Sequence, residues 1–302
     1  MDQRLRDIAD TLAMDGNSGA SEMMASTLND LLAIPEDDMA LIPPSDWEEF
    51  AIALHRAKPS IAPLFNIANT ILLLLEKGED GMDDLHGAIM DLREKERKSG
   101  LRIIELSAET IKGEWLMTTS YSSTVAQVLK ALAKDRNMKV TVAEALPGGE
   151  GRQLAKILSG HGMQVEMIHD STVFSRMAEI DAVLVGADSV TRSGLVNKIG
   201  TRALAEAARV FDVDAFAVCG RSKICPVMLS DLIASERTVV PNLTEFVQVF
   251  ESTPLELFTS LITDDRVLSP ANLKQELQGN KTARAWYERN VLTGPAGSLQ
   301  EQ

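Results

Sequence analysis

The chain has 302 residues, of which 45% are hydrophobic and only 4% aromatic, so aliphatic side chains must fill its core. Its net charge of -14 argues against direct binding to nucleic acid, because a phosphate backbone requires a basic protein surface. No apolar run is long enough for a membrane span and no signal-peptide hydrophobic region is present, which predicts a cytoplasmic protein that does not bind membranes. Cys219 and Cys225 have the spacing of neither a disulfide framework nor a zinc site, so we predict no metal and no cofactor.

Residues 1 to 112 are predicted to form a helical domain. Apolar residues recur at helical spacing in four segments, Ser21–Leu32, Trp47–Arg56, Ile61–Glu76 and Met82–Ser107. The third segment is unusually apolar, which indicates packing on several sides. The charged stretch REKERKSG inside the fourth predicts a solvated face or a short break near Gly100.

Residues 113 to 302 change to a rhythm of strand, turn and helix. Strands are predicted at Trp115–Thr118, Lys139–Ala143, Gln164–Ile168, Val183–Val185 and Val213–Cys219, and helices at Ser122–Lys134, Gly149–Ser159, Ser171–Ala178 and Thr201–Val210. This alternation predicts an α/β domain with a doubly wound, Rossmann-like parallel sheet. The polar tail from Asn280 is expected to fray.

The segment VLVGADSVTRSGLVNKIGT, residues 183 to 201, combines a buried strand with several polar groups. Asp188 comes just after the strand, a polar loop carries Arg192 to Gly194, and Asn197 and Lys198 lead into the next helix. Ligands of open α/β sheets bind outside the carboxyl ends of the strands, where helix N-termini point. The alternative is that Asp188 caps a turn and Lys198 is solvated.

Every other predicted strand is also followed by polar residues. They are Thr118 to Ser123, Glu144 to Arg152, His169 with Asp170, and Ser222 with Lys223. Because the strand ends of a doubly wound sheet converge, these residues can be neighbours in space. Taken singly, the serines, threonines and aspartates among them are also ordinary helix caps.

The GAD sequence at 186–188 and the NKIGT sequence at 197–201 closely resemble one protein family. It joins methylthioribose-1-phosphate isomerases, ribose-1,5-bisphosphate isomerases and the alpha, beta and delta regulatory subunits of eukaryotic translation initiation factor 2B. The resemblance extends from about Gly19 to Pro270. It implies that Asp188 is an acid/base residue and that Asn197, Lys198 and Lys223 bind a phosphorylated sugar or nucleotide.

The chain departs from the isomerases of this family at several positions. Ser120 stands where the isomerases carry a cysteine that pairs with the aspartate of GAD. Their E-[ST]-R-P sequence is Glu144-Ala145-Leu146-Pro147 here, and their Arg-Gly-Ala is Ser18-Gly19-Ala20, so two phosphate-binding arginines are missing. Lys58-Pro59-Ser60 matches their R-P-[ST] loosely, which leaves Gly19, Ala20 and Lys58 as predicted ligand-binding residues.

These departures favour a regulatory subunit over an enzyme. A serine needs an adjacent base to act as a nucleophile, and His169 is the one histidine expected on this side of the sheet. We therefore predict an initiation factor 2B subunit-like protein that binds a phosphorylated sugar or nucleotide without efficient catalysis and acts through protein contacts. The alternatives are an aldose–ketose isomerase that uses Asp188 with Ser120 or a water, and an oligomeric scaffold with a vestigial pocket.

The resemblance also bears on partners. Members of the family pair through the sheet domain, and the apolar region Leu255 to Leu268 is a candidate interface. We therefore expect a homodimer, with a translation factor as a possible further partner.

Overall fold

A computed structural model describes residues 1–16, 18–227, 234–240, 242–277 and 281–292 of the chain. The N-terminal part consists of α-helices packed on one another around a shared aliphatic core. These are α1 (Gln3–Met14), α2 (Ala20–Leu32), α3 (Glu36–Leu41), α4 (Pro44–Ala57), α5 (Ala62–Leu75), α6 (Glu79–Asp83) and α7 (Leu85–Thr110). Helix α5 has ten buried residues, which agrees with its apolar sequence.

The second part is built on a seven-stranded sheet in the order β12-β11-β7-β4-β1-β2-β3. Its strands are β1 (Trp115–Thr119), β2 (Lys139–Ala143), β3 (Gln164–Ile168), β4 (Ala182–Val185), β7 (Asp214–Val218), β11 (Ser260–Ile262) and β12 (Val267–Leu268). All neighbours are parallel except β11 and β12. The predicted strands β2 and β3 have the bounds expected from the sequence.

Helices cover both faces of this sheet. Side chains of α8 (Ser123–Leu132) and α9 (Gly151–Gly160) pack on one face, and those of α10 (Val173–Met177), α11 (Thr201–Val210) and α12 (Pro270–Glu276) pack on the other. Successive strand residues such as Leu184 and Val185 belong to the two different cores, as the period-two geometry of a strand requires. The predicted helical region followed by a doubly wound α/β sheet is therefore confirmed.

The remaining described strands form two small antiparallel sheets. β5 (Ser189–Thr191), β6 (Gly194–Lys198) and β10 (Phe250–Thr253) form a three-stranded sheet, and β8 (Ala234–Val240) pairs with β9 (Leu243–Gln248). The predicted polar loop at Arg192 to Gly194 lies at the turn between β5 and β6, and these two strands were not predicted. Lys198 lies on a strand because β6 pairs with β10, about fifty residues further along the chain.

Helix α7 runs without interruption through Gly100, so the predicted break near this residue does not occur. The charged stretch forms a solvated face instead. At Gly100 a Cβ atom would lie 3.2 Å from the Oε1 of Gln127 on α8. The glycine therefore allows a close approach of two helices.

The C-terminal part contributes to both cores. Leu255, Leu261, Ile262 and Leu268 are buried within the chain, so the apolar region proposed as a dimer interface does not offer these side chains to a partner. Val267 in the same region is 37% exposed, and the interface itself stays a prediction.

Residues 281–292 pack against the N-terminal helices. The buried Trp286 stacks on Phe65 with ring centroids 5.0 Å apart, and its indole N–H donates to Asn69 Oδ1 at 3.0 Å. Fraying from Asn280 is therefore wrong for 281–292, while residues 278–280 and 293–302 lie outside the described part. The boundary between residues 112 and 113 stays a prediction. Among the described residues, no helix combines the length and the apolar character needed to cross a bilayer.

Candidate functional site

The strand ends bring several predicted site residues to one edge of the sheet. Thr119 is paired with Ala143, and Ala143 with Ile168, so Ser120, Glu144 and His169 follow three adjacent strands at the same level. Strand β4 is the other neighbour of β1, and Asp188 follows it after a two-residue turn. Asp188 therefore lies on one side of Ser120, and Glu144 and His169 lie on the other.

Ser120 occupies a sharp turn between β1 and α8. Its φ of 61° lies in the left-handed region, and its side chain is 2% exposed. Within the described residues its hydroxyl has no hydrogen-bond partner, and the same holds for the hydroxyls of Thr118 and Thr119. Three buried hydroxyls without partners are costly, because each loses its bonds to water without replacement.

The start of α11 lies beside these hydroxyls. Gly200 caps this helix with a φ of 99°, and a Cβ atom there would lie 3.6 Å from Thr119 Oγ1. Backbone N–H groups at the first turn of a helix favour an anion. One of these N–H groups, that of Arg202, already donates to Glu251 Oε1 at 2.9 Å.

Asp188 is held by its backbone and surrounded by charge. Its N–H donates to the Val196 carbonyl at 2.9 Å, and its own carbonyl accepts from the Ala62 N–H at 3.4 Å. Burial raises the pKa of the Asp188 carboxyl, and the charges of Lys223 and Lys198 oppose that rise. A carboxyl of this kind can hold and release a proton nearer to neutral pH than an ordinary aspartate.

Lys198 extends from β6 toward the start of α9. Its ammonium lies 2.8 Å from Glu150 Oε1 and 4.5 Å from the centroid of the Phe250 ring. The side chain keeps 24% of its exposure, so it is partly accessible to a ligand. Sequence reasoning did not single out Glu150, although its position between Gly149 and Gly151 at a helix start was a usable signal.

Asn197 stabilises the connection between β6 and α11. It is 8% exposed, and its Nδ2 donates to Thr201 Oγ1 at 3.0 Å. The Thr201 hydroxyl in turn donates to the Lys198 carbonyl at 2.7 Å. These bonds fix the backbone between β6 and α11, and they use the amide group that was predicted to bind ligand.

Lys223 belongs to a short helical turn after β7 and is 5% exposed. Asn66 of α5 fixes this loop, because its Nδ2 donates to the Ser222 carbonyl at 2.6 Å and to the Ile224 carbonyl at 3.0 Å. The N-terminal helices thus contact the loop that carries Lys223.

The start of α2 acts electrostatically on Tyr121, the residue after Ser120. Gly19 caps this helix, its N–H donates to Glu22 Oε2 at 3.1 Å, and Ala20 is buried. Burial raises the pKa of Tyr121, the neighbour of Ser120, and the charge of Glu22 adds to that rise. Glu22 in the first turn of α2 therefore influences the side chain that follows Ser120.

The Lys58 side chain bonds to the end of helix α1. Its ammonium donates to the carbonyl of Asp15 at 2.6 Å and to that of Ala13 at 3.4 Å, at the C-terminal end of α1. A cation at a helix C-terminus is favourable, so Lys58 has a structural partner independent of any ligand.

At the other side of the same sheet edge, beyond β2 and β3, the charged side chains pair with one another. Arg152 donates to Glu144, and His169 Nδ1 lies 2.7 Å from Glu144 Oε1. The hydrogen bond to His169, together with Arg152, holds the pKa of Glu144 below its usual range. Asp170 accepts from the N–H groups of Ala145 and Leu146, each at 2.8 Å, and so fixes the loop in which Leu146 replaces an arginine.

Comparison with known proteins identifies the family to which this chain belongs. The model of the initiation factor 2 subunit family matches residues 46–270. The chain belongs to the initiation factor 2 subunit family. A putative translation initiation factor eIF-2B subunit 2-like protein of Pyrococcus abyssi is 30% identical over 88% of this chain and 97% of its own length.

Other relatives carry enzyme names. The ribose 1,5-bisphosphate isomerase of Pyrococcus furiosus is 27% identical over 83% of this chain and 86% of its own length. Among solved structures, the translation initiation factor eIF-2B of Pyrococcus horikoshii matches with a TM-score of 0.76 and 24% identity, covering 89% of this chain and 98% of that one. This likeness supports the fold, and the family contains both kinds of protein.

Proposed function

We propose that this chain is an eIF-2B-like subunit that binds a phosphorylated sugar or nucleotide beside Asp188 and acts through protein contacts, with little or no isomerase turnover. Asp188, Lys198, Lys223 and the first turn of α11 would hold the ligand. Lys198 and the helix N-terminus supply positive charge at this site, as phosphate binding requires.

The state of Ser120 is the observation that carries the proposal. Its hydroxyl is buried and, among the described residues, has no hydrogen-bond partner, so no base is in contact to activate it. The nearest histidine in the strand-end register, His169, is held by Glu144 on the far side of β2. A serine without a base is a poor nucleophile or acid.

Thermal-shift and calorimetric titrations with ribose 1,5-bisphosphate, methylthioribose 1-phosphate and nucleoside monophosphates test this proposal. A ligand that binds the folded state raises its melting temperature by mass action. We expect at least one of these compounds to stabilise the protein and to be recovered unchanged after incubation. Absence of stabilisation by all of them would favour a scaffold with a vestigial pocket.

Isomerase activity is the second candidate, and the pKa of Asp188 favours it. Because burial raises this pKa, the carboxyl is suited to move a proton between two carbons of a sugar. Turnover near about 1 per second, abolished by Asp188→Asn, would establish this function and overturn the first.

The proposed mode of action requires protein partners. We propose a homodimer that can associate with a translation factor, since one of the similar solved structures is a tetrameric eIF2B-beta2-delta2 complex. Light scattering of the purified chain tests the dimer, and a monomer at micromolar concentration would contradict it.

A further inference from the structure

A cleft of about 470 Å³ lies between the N-terminal helices and the loop that follows β7. Residues of α2, α5 and α7 line one side, and residues of the 221–226 loop together with Asp264 line the other. Clefts of this size accommodate small organic molecules. Its lining includes neither Asp188, Lys198 nor Lys223, although Ser222 and Ile224 on either side of Lys223 belong to it.

Part of the cleft wall is apolar. This part is formed by Met24, Leu73, Leu92, Ile224 and Pro226. Such walls favour a ligand with an apolar body, because its burial removes hydrocarbon surface from water.

Most polar groups around the cleft already have partners. Asn66 donates to two carbonyls of the loop, and Asn69 Oδ1 accepts from the Trp286 indole and from the Ala283 N–H. The Arg221 guanidinium pairs with Asp265 and Glu276, and Asp264 Oδ1 accepts from the Arg221 backbone N–H at 2.7 Å. These bonds hold the boundary of the cleft together.

Three charged residues are less completely satisfied. Lys95 and Lys281 are exposed lining residues that form no ion pair within the described part of the chain. Glu96 accepts a hydrogen bond from Ser222 Oγ at 3.2 Å, and burial raises its pKa although Lys223 opposes the rise. A carboxyl group has room for more than one donor, so Glu96 can accept a further hydrogen bond.

We propose that this cleft binds a small organic anion with an aliphatic body and a terminal hydroxyl group. The anionic end, a carboxylate or a phosphate, pairs with Lys95 and Lys281 at the exposed side. The hydrocarbon chain packs on Leu73 and Leu92, and the hydroxyl donates to Glu96. This arrangement satisfies the three remaining charges together.

Calorimetric titration of the full chain with matched probes tests the proposal. The probes are 6-hydroxyhexanoate, 6-hydroxyhexyl phosphate, hexanoate and 1,6-hexanediol. We expect one or both hydroxy anions to bind, which also identifies the preferred anion. Hexanoate, which lacks the hydroxyl, should bind at least about threefold more weakly, and the diol, which lacks the anion, at least about tenfold more weakly.

Substitutions at the surface locate the probe. Lys95→Met and Lys281→Met should each weaken binding of the hydroxy anion by about fivefold or more, since each removes a charged hydrogen bond. Lys98→Met is the matched control, because Lys98 lies on the same helix and pairs with Glu94. All three lysines are exposed, so these variants should fold normally.

Two further results would overturn the proposal. One is the absence of saturable binding of either hydroxy anion at up to about 10 mM, which corresponds to a negligible affinity. The other is loss of binding in Lys198→Ala with no effect of Lys95→Met, because the probe would then occupy the strand-end site. Binding at the strand-end site can fail or succeed independently of this result.

Discussion

The two sides of the strand-end edge differ in how well their polar groups are satisfied. Beyond β2 and β3, the carboxylate of Glu144 is paired with Arg152 and His169. Beyond β1 and β4, the hydroxyl of Ser120 has no partner among the described residues, and burial raises the pKa of Asp188. Both sides have buried polar groups, but among the described residues the Glu144 carboxylate is fully paired and the Ser120 hydroxyl is not.

This difference suggests a structural role for one side and a ligand-binding role for the other. Buried polar groups in native proteins nearly always have hydrogen-bond partners, so a cluster without them indicates a water or a ligand that completes the site. We therefore propose the β1–β4 side as the ligand-binding side. The β2–β3 side stabilises the loop between β2 and α9, which carries Glu150, the partner of Lys198.

The largest expected effect is on ligand affinity at the unsatisfied side. Lys198→Ala should weaken binding of any phosphorylated ligand by about tenfold or more, because it removes a charged contact worth about 1.4 kcal/mol or more. The melting temperature should change little. Calorimetry and thermal unfolding measure the two effects, with the exposed Lys156→Ala on α9 as a control.

If affinity were unchanged while stability collapsed, Lys198 would be structural and the contrast between the two sides would be lost.

Glu144→Gln should have the opposite pattern. It should lower the melting temperature by a few degrees at neutral pH and leave ligand affinity within about twofold, because it weakens pairs that hold a loop. A large loss of affinity in this variant would place Glu144 in the binding site.

The pH dependence of this loss has a defined sign. The folded pKa of Glu144 is lowered from 4.5, so its stabilising contribution is present above that pH and is lost as pH falls through the folded pKa. The difference between wild type and Glu144→Gln should therefore shrink in acid. Thermal unfolding at about pH 7 and about pH 3 measures it.

Asp188→Asn should raise the melting temperature modestly. The folded pKa of Asp188 is raised, so the native state binds this proton more tightly and stability falls as pH rises from the ordinary value of 3.8 through the folded pKa. The amide removes that loss, and we expect a gain of about 2–4 °C at pH 8 that disappears in acid. Asp135→Asn, at an exposed position, is the control.

The smallest effect is expected for Ser120→Cys. Restoring the cysteine alone should leave turnover of either sugar phosphate well below about 1 per second, since misplacement by about 1 Å can cost roughly a hundredfold. The triple variant Ser120→Cys, Leu146→Arg, Ser18→Arg should exceed it. Equal activity of the single and triple variants would show that phosphate positioning is not limiting.

Much of the fold could be predicted because its signals are local. The strands Lys139–Ala143 and Gln164–Ile168 and the helix Thr201–Val210 have sequence bounds that the structure reproduces. The hairpin that carries Lys198 could not be predicted, because β6 depends on pairing with β10 and the local sequence resembles a loop. Gly100 was misleading for a similar reason, since the contact with Gln127 that explains it is invisible in the sequence.

The sequence named residues of the candidate site, but it could not show their contacts. The GAD and NKIGT sequences named Asp188 and Lys198, and Lys223 follows the fifth predicted strand; both lysines act electrostatically on Asp188. Their spacing could not show that Asn197 bonds to Thr201 or that Lys58 bonds to the end of α1. Those choices depend on which side chains face each other after folding, and their assignment as ligand-binding residues stays a prediction.

Helix α5 connects the two halves of the molecule residue by residue. The Ala62 N–H contacts the Asp188 carbonyl, Asn66 holds the Lys223 loop, and Asn69 holds the segment that contains Trp286. A ligand that orders the strand-end loops should therefore slow hydrogen exchange along α5 and around Trp286, in regions that never touch it. In an oligomer, helix α5 would therefore transmit the effect of ligand binding to a protein that packs on the N-terminal helices.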